Sequence, residues 1–269
     1  MAPEAKVTAA TIRARKGTSE RTVVLTAYDV VFAQLADGAG IDVVLVGDSL
    51  GMVVQGERST LSVTLDEMVY HCRIVSRGVK RALVVGDLPF MSYQASVEDG
   101  MRAAGRLMKE GHAEAVKLEG GEEVAELARR LVGAGIPVMG HVGLTPQSIH
   151  QFGGFKVQGR TEAQRAHILA GARALADAGV FAVVLEAMPH ALAGEITRGV
   201  PTTTIGIGAG VECDGQVMVM HDLLGLQPSW KPRFVRRYAE MGKAAGEAFA
   251  ASAADVRAGR FPAAEETYE

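Results

Sequence analysis

Val43-Val-Leu-Val-Gly-Asp-Ser49 is a continuous apolar run that ends in a glycine, an aspartate and a serine. An aliphatic run without polar alternation is typical of a parallel strand that is buried on both faces. Short runs of the same kind recur along the chain. We predict strands at eight places: 22–26, 43–46, 83–85, 115–118, 137–140, 182–185, 202–205 and 217–220.

Helical patterns separate these strands. Apolar residues recur every three or four positions in segments 97–110, 121–133, 163–178 and 233–257. Thr64 and Thr161 have capping-box spacing to Glu67 and Gln164, and Asp29 is expected to cap the helix after the first strand. Eight strand–helix units in about 250 residues indicate an α/β fold, the (β/α)8 TIM barrel. The rival, an open doubly wound sheet, usually has fewer strands.

We expect a single barrel domain over residues 1–269. A helix at about 7–16 would form an N-terminal extension within residues 1–20, and a long helix would close the chain.

Composition excludes several classes of protein. The chain has 28 basic and 31 acidic residues, a net charge of −3, which disfavours a nucleic-acid partner. No apolar run approaches the roughly 18 residues of a membrane span, and the first twenty residues lack the apolar core of an export signal. The two cysteines, Cys72 and Cys213, fit a reducing compartment. We therefore expect a cytoplasmic protein that acts on small molecules.

Ionisable residues stand at the ends of five successive predicted strands. They are Asp48, Asp87, Glu119, His141 and Glu186. A lone aspartate at such a place is usually a helix cap or a solvated loop charge. Five in a row favour an active site, because barrel enzymes carry their chemistry at the carboxyl ends of the strands.

Lys117 and Glu119 lie two residues apart on one strand, so both side chains point to the same side. The pair could be a structural ion pair. However, Asp48, Asp87 and Glu119 at one barrel mouth would repel one another without a cation. Oxygen ligands with no cysteine or histidine cluster suit a hard divalent ion such as Mg²⁺.

Other polar features leave two interpretations open. Gly206-Ile-Gly-Ala-Gly210 follows the seventh strand and fits either a phosphate-binding loop or a sharp, closely packed turn. His221-Asp222 is ambiguous between structural and functional roles. The histidines expected outside the site are His71, His112, His150, His167 and His190.

Longer segments carry a resemblance to a known family. They are Thr26-Ala-Tyr-Asp29, Val46-Gly-Asp-Ser-Leu-Gly-Met52, Gly86-Asp-Leu-Pro-Phe90, Val116-Lys-Leu-Glu-Gly120, His141-Val-Gly-Leu-Thr-Pro-Gln147, Gly153-Gly-Phe-Lys-Val-Gln-Gly159 and Ile205-Gly-Ile-Gly-Ala-Gly210. In order, from about residue 7 to residue 240, they resemble the ketopantoate hydroxymethyltransferase family. Phe155 departs from the tyrosine common there, and the tail from about 255 to 269 is variable.

The resemblance implies a barrel of the phosphoenolpyruvate/pyruvate type that assembles as a homodecamer of two pentamers. It implies transfer of a hydroxymethyl group from 5,10-methylenetetrahydrofolate to 3-methyl-2-oxobutanoate, through a Mg²⁺-chelated enolate. The product, 2-dehydropantoate, belongs to pantothenate and coenzyme A biosynthesis.

The resemblance also assigns site residues. It makes Asp48, Asp87 and Glu119 the metal ligands, and Glu186 the catalytic base. Substrate contacts fall on Asp48, Ser49, Asp87 and Lys117, with Lys117 and His141 as further catalytic residues.

Three alternatives stand beside this interpretation. Another Mg²⁺-dependent oxo-acid barrel, a C–C lyase or mutase, would be expected to carry a cysteine loop after the third strand. Leu88-Pro-Phe-Met-Ser-Tyr93 has no cysteine. A sugar-phosphate isomerase using Gly206–Gly210 would leave the three carboxylates without a role. A non-catalytic assembly subunit would be expected to have lost a ligand carboxylate.

Overall fold

The computed structural model describes residues 5–227 and 232–268. Eight parallel strands follow one another in chain order and close into a barrel. The last strand pairs with the first, with Val24 opposite Val217. The strands are β1 Thr22–Thr26, β2 Val43–Val46, β3 Leu83–Asp87, β4 Ala115–Lys117, β5 Val138–Gly143, β6 Ala182–Glu186, β7 Thr203–Ile207 and β8 Gly215–Met218. The predicted TIM barrel is confirmed.

Helices connect the strands. They are α1 Ala9–Ala14, α2 Val30–Gly38, α3 Leu50–Val53, α4 Leu65–Gly78, α5 Val97–Lys109, α6 Ala125–Gly133, α7 Ile149–Phe152, α8 Glu162–Asp177, α9 His190–Gly199, α10 Met220–Leu224 and α11 Met241–Arg257. Short 3₁₀ turns occur at Glu122–Val124, Pro146–Ser148 and Ala264–Glu266. The predicted caps are confirmed: Asp29 caps α2, and Thr64 and Thr161 form capping boxes.

The barrel interior is an apolar core. Every residue of β2 and β3 is buried, as the unbroken apolar runs predicted. The predicted N-terminal helix forms over the shorter range of α1, and Ile12 belongs to the same core cluster. The Thr203 hydroxyl donates to the Ile12 carbonyl at 2.9 Å. This hydrogen bond connects α1 to strand β7.

Several predicted boundaries differ from the structure: β3 and β7 end two residues later than predicted, and three other differences have a clear structural reason. Strand β5 continues to Gly143, because 141–143 pair with Val184–Glu186 of β6. Strand β8 begins at Gly215, where a side chain would lie 2.3 Å from the Thr22 carbonyl oxygen. The last long helix begins at Met241, not at 233. The Tyr238 N–H donates to the Leu223 carbonyl instead of to a helical partner.

The chain divides into two compact units, Met1–Val219 and Met220–Glu269. The first contains all eight strands, and the second contains α10 and α11. A single domain over 1–269 therefore stays a prediction. Within the described residues, each helix is too short or too polar to cross a membrane.

Candidate active site

The carboxyl ends of β2 to β6 bring the predicted site residues together. Asp87, Lys117 and Glu186 are the last residues of β3, β4 and β6. Asp48 and Glu119 each lie two residues beyond the end of a strand, and His141 lies within β5. Asp48, Asp87, Lys117, Glu119 and His141 are all buried. Buried ionisable groups at a barrel mouth are typical of a site built for chemistry.

Three carboxylates form the centre of this site. One oxygen from each of Asp48, Asp87 and Glu119 lies within 4.8 Å of the other two. Burial raises the pKa of Asp48 well above its usual range, and the charges of Asp87 and Glu119 raise it further. The pKa of Asp87 is also raised, mainly by burial, although Lys117 opposes the shift. The cluster is therefore short of positive charge.

Lys117 supplies part of that charge. Its Nζ lies 2.9 Å from Oδ1 and 2.7 Å from Oδ2 of Asp87, and 3.4 Å from Oε1 of Glu119. Burial disfavours the ammonium ion, but the neighbouring carboxylates outweigh burial and raise the pKa of Lys117. Lys117 is consequently a charged hydrogen-bond donor at the centre of the site.

His141 connects the carboxylate cluster to Glu186. Its Nδ1 lies 3.4 Å from Glu119 Oε1, and its Nε2 lies 3.3 Å from Glu186 Oε2. Burial lowers the pKa of His141, but the two glutamates more than compensate and raise it to about 9. Burial opposes the charge of Glu119, whereas Lys117, His141 and the Gln147 N–H bring its pKa down to about 2.

The donor set fits a divalent cation. With all four carboxylates, Asp48, Asp87, Glu119 and Glu186, ionised against two positive groups, Lys117 and protonated His141, the formal charge of the site is −2. One divalent ion would neutralise it. Carboxylate oxygens are the ligands that Mg²⁺ prefers.

Ser49 lies beside Asp48 at the edge of the site. Its hydroxyl is 2.8 Å from the Tyr28 hydroxyl. The Tyr28 carbonyl lies 2.7 Å from Nδ1 of His71. His71 was expected outside the site. In the structure Tyr28 lies between His71 and Ser49 and contacts both.

Sequence reasoning missed Tyr28, Tyr93 and Gln147 as parts of this site. Each lies close to the quoted segments or within one. Gln147 donates to Asp48, and Tyr93 accepts from the Glu119 backbone. Burial raises the pKa of Tyr93 well above its usual value, and the charge of Glu119 adds to the effect. The signal that could have found them is their place in or near strand-end loops.

The glycine segment after β7 supports the packing interpretation. Gly208 and Gly210 have φ values of +62° and +91°. A side chain at Gly210 would lie 2.6 Å from Cβ of His190. His221 and Asp222 lie in α10, in the second unit, where burial raises the pKa of Asp222.

The fold and the site define a class, a (β/α)8 barrel with a buried carboxylate cluster at the carboxyl ends of its strands. Its fold is similar to that of a member of the phosphoenolpyruvate mutase/isocitrate lyase superfamily. A 2,3-dimethylmalate lyase of that superfamily has a TM-score of 0.59 and 16% identity, with 97% of this chain and 91% of the lyase covered. A phosphonopyruvate hydrolase in complex with oxalate and Mg²⁺ has a TM-score of 0.63 and 12% identity, with 96% and 93% covered.

Sequence comparison defines the family within that class. This chain belongs to the ketopantoate hydroxymethyltransferase family, whose profile matches residues 6–264. The 3-methyl-2-oxobutanoate hydroxymethyltransferase of Moorella thermoacetica is 54% identical over 269 residues, with 100% of both chains covered. The enzyme of the same name from Syntrophotalea carbinolica is 54% identical over 257 residues, with 96% of each chain covered. The chain is therefore an enzyme of this family.

Proposed function

We propose that this enzyme transfers a hydroxymethyl group from 5,10-methylenetetrahydrofolate to 3-methyl-2-oxobutanoate, forming 2-dehydropantoate for pantothenate and coenzyme A biosynthesis. The observation that carries the proposal is the buried cluster of Asp48, Asp87 and Glu119, with Lys117 inside it and Glu186 at its edge. That arrangement offers both a cation site and a base, as enolisation of a 2-oxo acid requires.

Asp48, Asp87 and Glu119 would hold Mg²⁺. The raised pKa values of Asp48 and Asp87 indicate that neighbouring positive groups do not balance their charge, whereas Lys117 and His141 lower the pKa of Glu119. When bound, Mg²⁺ supplies Lewis-acid polarisation of the carboxylate and keto oxygens of a 2-oxo acid. The phosphonopyruvate hydrolase of similar fold was solved with oxalate and Mg²⁺.

Glu186 is the group that takes the proton from the carbon beside the keto group. Its side chain is 17% exposed, whereas those of Asp87, Glu119 and His141 are 3% exposed or less, so it is the more accessible carboxylate of the site. The Nε2 of His141 holds one oxygen of this carboxylate at 3.3 Å. The other oxygen remains available for the substrate C–H. A positioned base of this kind contributes about 10²–10⁴-fold in rate.

Lys117 donates to the keto oxygen, where negative charge develops as the proton leaves. An ammonium fixed in a buried site stabilises that charge without reorganisation of solvent. Ser49, held by Tyr28 at 2.8 Å, presents its hydroxyl to the substrate carboxylate. The carbon then bonds to the one-carbon unit of the folate. Water adds its hydroxyl group to that unit as the C–N bond to the folate breaks, the folate nitrogen takes up a proton, and tetrahydrofolate is released.

Proton NMR of 3-methyl-2-oxobutanoate in D₂O tests the proposal. We expect the C–H signal beside the keto group to disappear only with enzyme and Mg²⁺, with tetrahydrofolate added if it must bind first. Glu186→Gln should abolish this exchange, and Glu126→Gln, an exposed glutamate on α6, should leave it intact. Absence of exchange with and without tetrahydrofolate would overturn the proposal and favour the other oxo-acid barrel enzymes.

We also infer that the enzyme works as a homodecamer in the cytoplasm. The family resemblance supports the assembly, and the buried, unbridged Cys72 and Cys213 support a reducing compartment. Light scattering after size-exclusion chromatography should give about ten times the chain mass of 28.3 kDa. A mass corresponding to one or two chains would contradict the decamer.

A further inference from the structure

Gln147 is a buried amide at the centre of the strand-end loops. It lies in the 3₁₀ turn Pro146–Ser148 after β5 and is 5% exposed. Its side chain and backbone contact groups from the loops after β2, β3 and β4. Gln147 therefore connects three strand-end loops.

Both metal-ligand candidates on either side of Gln147 receive a hydrogen bond from it. The side-chain Nε2 donates to Oδ2 of Asp48 at 2.9 Å. The backbone N–H donates to Oε2 of Glu119 at 3.0 Å. One residue therefore restrains the carboxylates of two different loops, and each carboxylate keeps a second oxygen free of Gln147.

The remaining polar capacity of the Gln147 amide is also used. Its second N–H donates to the Leu88 carbonyl at 2.9 Å. Its Oε1 accepts from Nε2 of Gln94 at 2.8 Å and lies 2.8 Å from the Tyr93 hydroxyl, whose one hydrogen it shares with the Glu119 carbonyl at 2.9 Å. Two donors and two acceptor sites are the full capacity of a glutamine amide.

These partners fix the orientation of the amide. A flipped amide would place Oε1 against the Leu88 carbonyl, which cannot donate, and Nε2 against Nε2 of Gln94, which cannot accept. Tyr93 also contacts Glu119, because its hydroxyl accepts from the Glu119 N–H at 3.0 Å. Gln147 and Tyr93 therefore hold Glu119 from two directions.

We propose that Gln147 is the positioning residue of the metal site, which holds Asp48 and Glu119 in the orientation that binds a divalent cation, with Tyr93 supporting it. The inference rests on the proposed function, because it takes the carboxylate cluster to be a metal site. In this role Gln147 acts through its hydrogen bonds to the two carboxylates. Residues that orient metal ligands in this way typically contribute 10- to 100-fold to metal affinity.

Mn²⁺ binding to the purified, substrate-free enzyme, followed by the EPR signal of free and bound Mn²⁺, tests the proposal. Gln147→Met preserves the side-chain length and the backbone N–H but removes the amide. It should weaken Mn²⁺ binding about 10- to 100-fold and change the line shape of the bound ion. The matched control is Gln158→Met, a buried glutamine further along the same loop that donates to the Lys156 carbonyl. Its Mn²⁺ affinity should equal that of the wild type.

Tyr93→Phe provides a second variant in case Gln147→Met does not fold. It removes one hydrogen bond to Gln147 and one from Glu119, and we expect about two- to tenfold weaker Mn²⁺ binding. In the double variant the losses should be less than multiplicative, because both residues act on the same carboxylates. Thermal unfolding in EDTA confirms that each variant is folded.

The outcomes separate this inference from the proposed function. Wild-type affinity and line shape in folded Gln147→Met, or wild-type affinity in Tyr93→Phe where only that variant folds, would overturn the positioning role and leave the metal site standing. Absence of Mn²⁺ binding to the wild type would overturn both the metal site and this inference. Equal weakening in Gln158→Met would show a general loosening of the loop and would also overturn it.

Discussion

Asp42 and Asp48 lie at opposite ends of strand β2, and their surroundings have opposite effects on the carboxylate charge. Arg15 and Arg81 contact Asp42 at 2.8 and 3.1 Å, and the Val23 N–H donates to it at 3.0 Å. Burial opposes the charge of Asp42, but these partners lower its pKa. Among the described residues Asp48 forms no direct ion pair, and it faces two further carboxylates. Burial and repulsion therefore raise its pKa, although the charge of Lys117 opposes the shift.

The two ends of β2 therefore have different roles: the surroundings of Asp42 stabilise the fold, and those of Asp48 belong to the candidate active site. At the amino end of the barrel the charges are paired, which favours the folded state. At the carboxyl end the charges are in excess, which costs stability and creates a site for a cation. This division matches the general assignment of stability to one face of a TIM barrel and chemistry to the other.

The largest effect on stability should come from removing the charge of Asp42 at the ion-paired amino end of β2. Asp42→Asn removes the buried carboxylate that Arg15 and Arg81 share, although Arg15 keeps its contact with the exposed Glu20. We expect a loss of about 3 kcal/mol of unfolding free energy. Asp48→Asn removes repulsion in the metal-free enzyme, and stability should stay within about 0.5 kcal/mol of wild type or rise. Urea unfolding in EDTA measures both. Equal destabilisation by the two variants would refute the contrast.

Metal affinity should show the reverse order. Asp48→Asn should weaken Mn²⁺ binding at least about 100-fold, because it removes a charged ligand. Asp42→Asn should bind Mn²⁺ as the wild type does wherever it is folded, because Asp42 lies at the other end of β2. Titration followed by EPR gives both dissociation constants. Unaltered affinity in Asp48→Asn would remove Asp48 from the ligand set.

The smallest of the three effects is the pH dependence of the unfolding free energy that the site at the carboxyl end of the barrel causes. Because the folded-state pKa of His141 is raised from 6.5 to about 9, its stabilising contribution is complete below pH 6.5 and is lost as pH rises through 9. The raised pKa values of Asp48 and Asp87 act in the same direction. Metal-free enzyme should therefore lose about 2 kcal/mol of unfolding free energy between pH 6.5 and pH 9.

His141→Gln is the control for this titration. It should remove most of the loss, since glutamine does not titrate, and thermal or urea unfolding at several pH values in EDTA measures it. A wild-type profile that rises over this range would contradict the raised pKa of His141.

The site residues at the strand ends could be predicted from the sequence because the pattern that marks them involves only neighbouring residues. Asp48, Asp87, Lys117 and Glu186 directly follow apolar runs, and strand alternation places Glu119 on the same side as Lys117. Parallel strands of a closed barrel bring those ends together whatever the loops do. Only the start of the helix predicted at 233–257 was wrong, because the Tyr238 N–H donates to the Leu223 carbonyl, a contact that periodicity does not reveal.

The sequence by itself determined the barrel, the family and the set of ionisable residues at one mouth, because period, run length and strand ends are properties of neighbouring residues. Only the tertiary structure decided which of those residues balance one another. The Gln147 amide meets Asp48 across 99 residues, and Tyr93 meets Gln147 across 54. Hydrogen bonds and charge interactions depend on distances between atoms, and the closure of the barrel sets those distances.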